Sequence, residues 1–199
     1  MSDKERQFFN TIAERWDDLR SVIPRIIEGL VSMAGLREGD RVLDVGCGTG
    51  VLVPYVKKAI GDAGVITAVD FAANMIARAA EKHKDLAGVE FIAADIMHYR
   101  VKSRFDKIFC FNFFPHVKDK PAFLLKMGEM LAEGGVFVIM HDIPRVKVNS
   151  IHGGCDAVKH DRLPAGAKTA KLLTEAGLYV TDVIDNDEIY FVKAVRKLS

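Results

Sequence analysis

Val42-Leu43-Asp44-Val45-Gly46-Cys47-Gly48-Thr49-Gly50 reads as an apolar strand running directly into a glycine-rich turn. Its hydrophobic residues do not alternate with polar ones, as expected of a strand buried on both faces. Glycine has no Cβ, so the backbone at 46, 48 and 50 can bend sharply and approach a ligand closely. Residues 51–60 then show helical periodicity, which makes the unit strand, turn and helix.

Spacing within the turn narrows what it can hold. A dinucleotide fingerprint, G-x-G-x-x-G, needs its third glycine where this chain has Val51, and Gly50 comes one residue early, which disfavours NAD. No Gly-Lys-Ser/Thr follows, so the triphosphate loop is excluded. A plain tight turn remains the alternative to a nucleotide cradle. Asp44 ends an otherwise apolar strand, where an unpaired carboxylate is costly to bury. It therefore needs a cationic or hydrogen-bond-donating partner, and the ammonium group of a bound methionine moiety would serve.

The same alternation extends outward from the turn. Strands are expected over 41–45, 65–70, 89–93, 105–111 and 136–140, with helices over 51–60, 74–84 and 120–132. Gly134-Gly135 reads as the stop of the last helix. A helix over 165–176, closed by Gly177, leads into two β-rich runs, 179–184 and 189–195, joined by the turn-like Asp185-Asn186-Asp187. These two form an antiparallel C-terminal hairpin. Helical stretches over 4–19 and 24–34 precede the first strand and are expected to cap the open end of the sheet. The longest irregular segment, 142–164, is the expected lid or acceptor-binding insertion.

Acids end the next two strands. Asp70 lies about 20 residues past the glycine turn, where a carboxylate can accept both ribose hydroxyls of a nucleotide at the sheet's carboxyl edge. It could equally cap the helix that follows. Phe71 can lie against an adenine ring, Asp95 can hold its amino group, and the fourth strand delivers Asn112 to the same edge.

Taken together, these motifs resemble the class I methyltransferases that use S-adenosylmethionine (SAM). Asp44 with Gly46, Cys47, Gly48 and Gly50 is similar to that family's first motif, Asp70 to its ribose acid, and Asp95-Ile96 to its adenine-binding pair. Phe105-Asp106-Lys107-Ile108-Phe109 resembles the fourth strand, Leu131 through Val138 the lead into the fifth, and Leu172 through Leu178 the last helix. The resemblance implies a Rossmann-like α/β fold: a seven-stranded, mostly parallel sheet with helices on both faces, its last strand inserted antiparallel. It also implies SAM as cofactor. Phe8 to Asp17 is similar to the opening of the ubiquinone and menaquinone biosynthesis C-methyltransferases, with Trp16 placed to close over the cofactor. An amphipathic capping helix is the alternative.

Composition bounds the rest. At 199 residues the chain suits one domain, 1–199, with N-terminal capping helices over about 1–35. Lys+Arg 28 against Asp+Glu 27 leaves a net charge of +1, which argues against a nucleic-acid partner. Cys47, Cys110 and Cys155 form no C-x-x-C pair, so a reducing, cytoplasmic setting fits. Met1 to Asn10 is polar, without the pattern of a secretory signal. No apolar run reaches the roughly 20 residues of an integral membrane segment.

The partner is then a small-molecule methyl acceptor, aromatic or quinone-like. His141 and His152 are the candidate catalytic residues, since both fall between the fifth strand and the end of the lid segment. His141, His152, Cys155 and His160 could instead ligate a metal, although their spacing matches no zinc pattern and no metal is expected. Plain loop hydrogen bonding is the third reading of this cluster. Arg145, Lys147 and Lys159 could receive an anionic acceptor or simply lie in solvent, and Phe111, Phe113 and Phe114 could line an apolar pocket or the core. Cys47 reads as a small filler. Asn112-Phe113-Phe114-Pro115 departs from the N-P-P-Y signature, so adenine or glutamine methylation is disfavoured. The alternatives to a transferase are a non-catalytic protein that binds SAM or S-adenosylhomocysteine (SAH) and, more remotely, a dehydrogenase.

Overall fold

Five apolar runs become five parallel strands, β1 (Arg41–Val45), β2 (Val65–Asp70), β3 (Val89–Ala93), β4 (Phe105–Phe111) and β5 (Leu131–His141), in a computed structural model of the chain. The structure describes residues 3–19, 22–101 and 103–198, so Met1 and Ser2 of the polar leading stretch lie outside it. β6 (Tyr179–Asp185) and β7 (Tyr190–Val195) complete a seven-stranded sheet of order β3-β2-β1-β4-β5-β7-β6. β7 runs antiparallel to both β5 and β6, which gives the expected hairpin.

The helices, in chain order, are α1 (Asp3–Ile12), α2 (Trp16–Leu19), α3 (Pro24–Met33), α4 (Val53–Ile60), α5 (Ala73–Lys82), α6 (Lys120–Met130), α7 (Arg145–Gly153) and α8 (Gly166–Glu175). A 3-10 turn, Ala13–Arg15, separates α1 from α2, so the single helix expected over 4–19 is broken. α6 starts where Asp119 accepts a hydrogen bond from the Ala122 N–H. It stops at Met130 rather than 132, because buried Leu131 turns extended and pairs with Phe105. Gly134-Gly135 therefore lies in the irregular opening of β5, before its register resumes at Val136 opposite Lys107. The segment 142–164 is not wholly irregular: it contains α7.

Alternate residues of the inner strands feed two cores, one per face. Leu43, Val45, Ile108, Cys110, Phe137 and Ile139 pack with Phe123, Leu124 and Met127 of α6 and Leu173 of α8. Val42, Phe109, Val138 and Met140 pack with Ile27 and Leu30 of α3 and Val53 and Val56 of α4. α3 thus covers a sheet face instead of an open end. The α1–α2 arm goes elsewhere, and Ala13 packs on Ala72 and Met75 beside Phe9, Trp16 and Phe71.

One buried hydrogen bond ties the hairpin to α8: the Tyr190 hydroxyl and Thr169 Oγ1 lie 2.6 Å apart, both residues fully enclosed. Tyr190→Phe leaves the Thr169 hydroxyl without this partner and is expected to cost about 1–2 kcal/mol in urea-unfolding stability.

Candidate functional site

β1 and β4 are neighbours, but the chain leaves β1 toward β2 and β3 on one side and leaves β4 toward β5 on the other. Their loops part at the carboxyl edge, and this topological switch point is where an α/β sheet opens a crevice. The crevice has three sections with shared walls. A narrow centre of about 60 Å³ is lined by Asp44, Gly46, Cys47, Gly48, Asp70, Phe71 and Asn112. A section of about 330 Å³ continues from Gly46, Asp70 and Phe71 to Asp95 and Ile96. On the other side a section of about 260 Å³ holds His141, His152 and Cys155.

The crevice thus brings together nine of the ten residues the sequence proposed for the cofactor. Gly50 is the one that does not line it. Its backbone φ is +76°, and a Cβ there would meet His83 Cδ2 at 2.9 Å, so this glycine lets the turn pack against His83 behind the site. Gly46 has the opposite role. Its φ is +70°, and a Cβ would fall 2.3 Å from Cγ and 2.8 Å from Cβ of Phe113, inside the stem of a ring that lines the crevice.

The three acids sit in distinct environments. Asp44 is 2% exposed, and its Oδ2 has no hydrogen-bond partner among the described residues. Burial, reinforced by the nearby Asp70 carboxylate, raises its pKa to about 7. Asp70 is buried too, and burial raises its pKa, opposed by the backbone groups it accepts from. Ala72 N–H donates to its Oδ1 at 2.9 Å and Gly48 N–H to its Oδ2 at 3.0 Å, so Asp70 braces the glycine turn. It is not the helix cap, a position held by Ala72. Asp95 accepts from Met97 N–H at 2.9 Å and turns the chain so that Ile96 is buried.

Asn112, at the end of β4, has φ +53°, the only positive value at a non-glycine residue among those described. Such strain is characteristic of functional sites. Its side-chain amide donates to Asp142 Oδ1 at 2.8 Å, which joins the edges of β4 and β5. Cys47 is enclosed, and burial with the Asp44 and Asp70 carboxylates pushes its thiol well above the usual range, which disfavours a thiolate there.

The α1–α2 arm roofs the crevice. Phe9 and Trp16 line both the central and the His-containing sections, their rings 5.7 Å apart at a 75° tilt. Asp17 accepts from Thr49 Oγ1 at 2.6 Å and from Lys82 Nζ at 2.8 Å, while Asn74 donates its backbone N–H to Asn10 Oδ1 and its side-chain amide to the Asn10 carbonyl. Trp16 was legible as a covering residue. The Asp17–Thr49 tie was not, since nothing local marks it.

On the acceptor side His141 is buried, edge-on to Tyr190 with centroids 5.8 Å apart. His152 is half-buried, and burial followed by the proximity of His116 lowers its pKa, so it is neutral at pH 7. Cys155 lines the same cavity, whereas His160 is exposed and away from it. Arg145 pairs with Asp185 at 2.8 Å and Lys159 with Asp156 at 3.2 Å, so neither is held toward a ligand. Phe111 and Phe113 line the central crevice, and Phe114 belongs to the core.

His116, which ends the segment after the fourth strand and is expected at this same edge, is the residue to which the sequence assigned no role. It lines both the centre and the acceptor side, and its Nδ1 lies 2.7 Å from Asp161 Oδ2. The signal available was its position five residues beyond β4, beside Phe113.

A methyltransferase-domain family matches residues 36–187 of this chain. Demethylmenaquinone methyltransferase of Staphylococcus aureus is 27% identical over 148 residues, 69% of this chain and 60% of that protein. The chain therefore spans about 60% of the length of the curated relatives it matches. Among solved structures, a SAM-dependent methyltransferase from Aquifex aeolicus superposes with a TM-score of 0.74 at 22% identity, covering 94% of this chain and 98% of that one. The [4+2]-cyclase SpnF superposes with a TM-score of 0.71 at 17% identity, over 88% and 81% of the two chains. These two likenesses speak to the fold, which hosts more than one chemistry.

Proposed function

This chain belongs to the family of methyltransferase domains, and on that premise we propose that it transfers a methyl group from SAM to a small, largely apolar acceptor, aromatic or quinone-like. The observation that carries the reading is Asp44, a buried carboxylate with an oxygen left for a donor, set beside a glycine turn in which Gly46 has no room for a Cβ. Such a site fits a cationic amino acid joined to a nucleoside.

Asp44 takes the ammonium group of the methionine portion. Gly46 and Gly48 let the backbone approach closely. Each Asp70 oxygen already accepts one N–H and keeps a lone pair for a ribose hydroxyl. Phe71, Asp95 and Ile96 surround the adenine, and Asn112 bridges the donor and acceptor sections. When bound, SAM supplies a methyl group on a sulfonium, an electrophile that chiefly needs an aligned acceptor. His141 and His152 orient that acceptor, the segment 142–164 covers it with α7, and the arm above keeps water out. The quinone-like class draws support from the name of the Staphylococcus relative and from the apolar walls, including Phe8, Ile143, Val148 and Val158, of the acceptor section.

Calorimetry with SAH and NAD tests this. SAH is expected to bind and NAD to give no heat, and the reverse result would overturn the assignment. Asp70→Ala should weaken SAH at least about tenfold through the lost ribose contact. Because it also releases the Gly48 and Ala72 N–H groups, it should cost about 1–2 kcal/mol of stability, so the fold is not expected to be wholly indifferent to it.

A further inference from the structure

The donor and acceptor sections meet at one imidazole, that of His116. Resting on the methyl-transfer reading, we propose that His116, oriented by Asp161, is the base that removes the acceptor's proton, and that the acceptor presents a phenol-type hydroxyl.

The argument starts from Asp161. This carboxylate is 3% exposed, and burial alone would raise its pKa. Hydrogen bonds from His116 and Lys118 overcome burial and hold it well below the usual range, so it is ionised. Lys118 Nζ lies 2.6 Å from Asp161 Oδ1 and 2.6 Å from Glu5 Oε1, which fixes the carboxylate from the side opposite the histidine. An ionised carboxylate 2.7 Å from Nδ1 requires Nδ1 to carry the proton. The neutral ring then has its lone pair on Nε2, for which no partner is recorded among the described residues. The ring is held by Phe9, edge-on at 5.4 Å, and by His152 at 4.9 Å.

The charged and titratable groups facing His116 are Asp161 beyond α7, Lys118 on its own loop, Glu5 of α1, Asp70 at the end of β2 and His152 of α7. Glu5, His116 and Asp161 could between them offer a metal three ligand atoms within 4.8 Å of one another. The Lys118 ammonium already sits 2.6 Å from both carboxylates and repels a second cation, so the geometry favours proton transfer.

In the step, the acceptor O–H bond breaks and its proton passes to Nε2. The oxygen's electron pair forms the new bond to the methyl carbon, at the expense of the sulfur–methyl bond, whose pair stays on sulfur. The positive charge that was on sulfur ends on the imidazolium, beside Asp161.

Two measurements test the proposal on the full chain. The first is ¹⁵N-histidine NMR of the wild type with SAH bound. His116 is expected to carry its proton on Nδ1 when neutral, and Asp161→Asn to abolish that preference. A His116 protonated on Nε2 overturns the proposal. The second compares labelled-methyl transfer to 4-methylphenol and to 4-nitrophenol, whose hydroxyl ionises near neutral pH without help. A general base contributes on the order of 100-fold or more, so His116→Gln should lower transfer to 4-methylphenol at least about 100-fold and to 4-nitrophenol less than tenfold. Equal losses on both overturn the base role. A single cooperative thermal unfolding transition of the variant reports that the fold survives. If wild-type protein fails to bind SAH, the methyl-transfer reading falls and this inference with it, whereas SAH binding with an Nε2-protonated His116 removes the base alone.

Discussion

Asp44→Asn should weaken SAH binding at least about 100-fold while making the ligand-free chain more stable at pH 8. The two effects have one cause. A carboxyl held from 3.8 up to about 7 by burial penalises the ionised folded state by on the order of 4 kcal/mol at most. Between pH 4 and pH 7 the folded chain binds the proton more tightly than the unfolded chain, so stability falls as pH rises through that window. Asparagine has no such proton, and its advantage in denaturant unfolding should be near zero at pH 4 and reach a few kcal/mol by pH 8. An ammonium ligand restores the carboxylate by pairing with it, a charge-assisted bond that asparagine cannot make. For the wild type this linkage predicts that SAH affinity climbs as pH rises from 5 to about 7 and then levels off, whereas Asp44→Asn shows no such climb. A flat wild-type profile would mean that Asp44 does not contact the ligand.

Gly46→Ala is expected to destroy binding by a different route. The φ of +70° strains any residue with a Cβ, at roughly 1–2 kcal/mol. The new carbon would also fall 2.3 Å from Phe113 Cγ and 2.8 Å from its Cβ, the stem of the side chain, so rotation of the ring tip cannot relieve the clash. Overpacking of this kind adds about 1–3 kcal/mol. Either Phe113 moves into the crevice it lines or the turn lifts from β1, and both block the donor. Thermal unfolding should fall by several degrees and SAH binding should vanish. A variant that binds normally would show that the turn has more slack than its contacts suggest.

Much of this was legible in the sequence because the signals are local. β1, β2, β3 and β4 begin and end where their apolar runs do, although only β1 and β4 are enclosed along nearly their whole length and β3, at the sheet's edge, is half-exposed. The acids at 44, 70 and 95 could be placed on one edge by topology alone, because strands of one direction end at one edge. α7 was hidden: only Val148 of its nine residues is buried, and Val146 and Ile151 face solvent, so little amphipathic rhythm marks it. The pairing of His116 with Asp161, 45 residues apart, and of Thr49 with Asp17, 32 apart, depends on how loops and arm fold back across the sheet edge. No local pattern encodes such meetings.

The arm formed by α1 and α2 has a consequence for turnover. The centre of the crevice beneath it has about 60 Å³, the narrowest of the three sections. The arm is fastened by a handful of polar ties, Asn10 to Asn74, Asp17 to Thr49 and Lys82, and Glu5 to Lys118. If the donor enters and leaves beneath the arm, those ties would have to break and re-form with it. On the methyl-transfer reading, loosening the ties should quicken exchange of the bound donor while exposing the reacting pair to solvent.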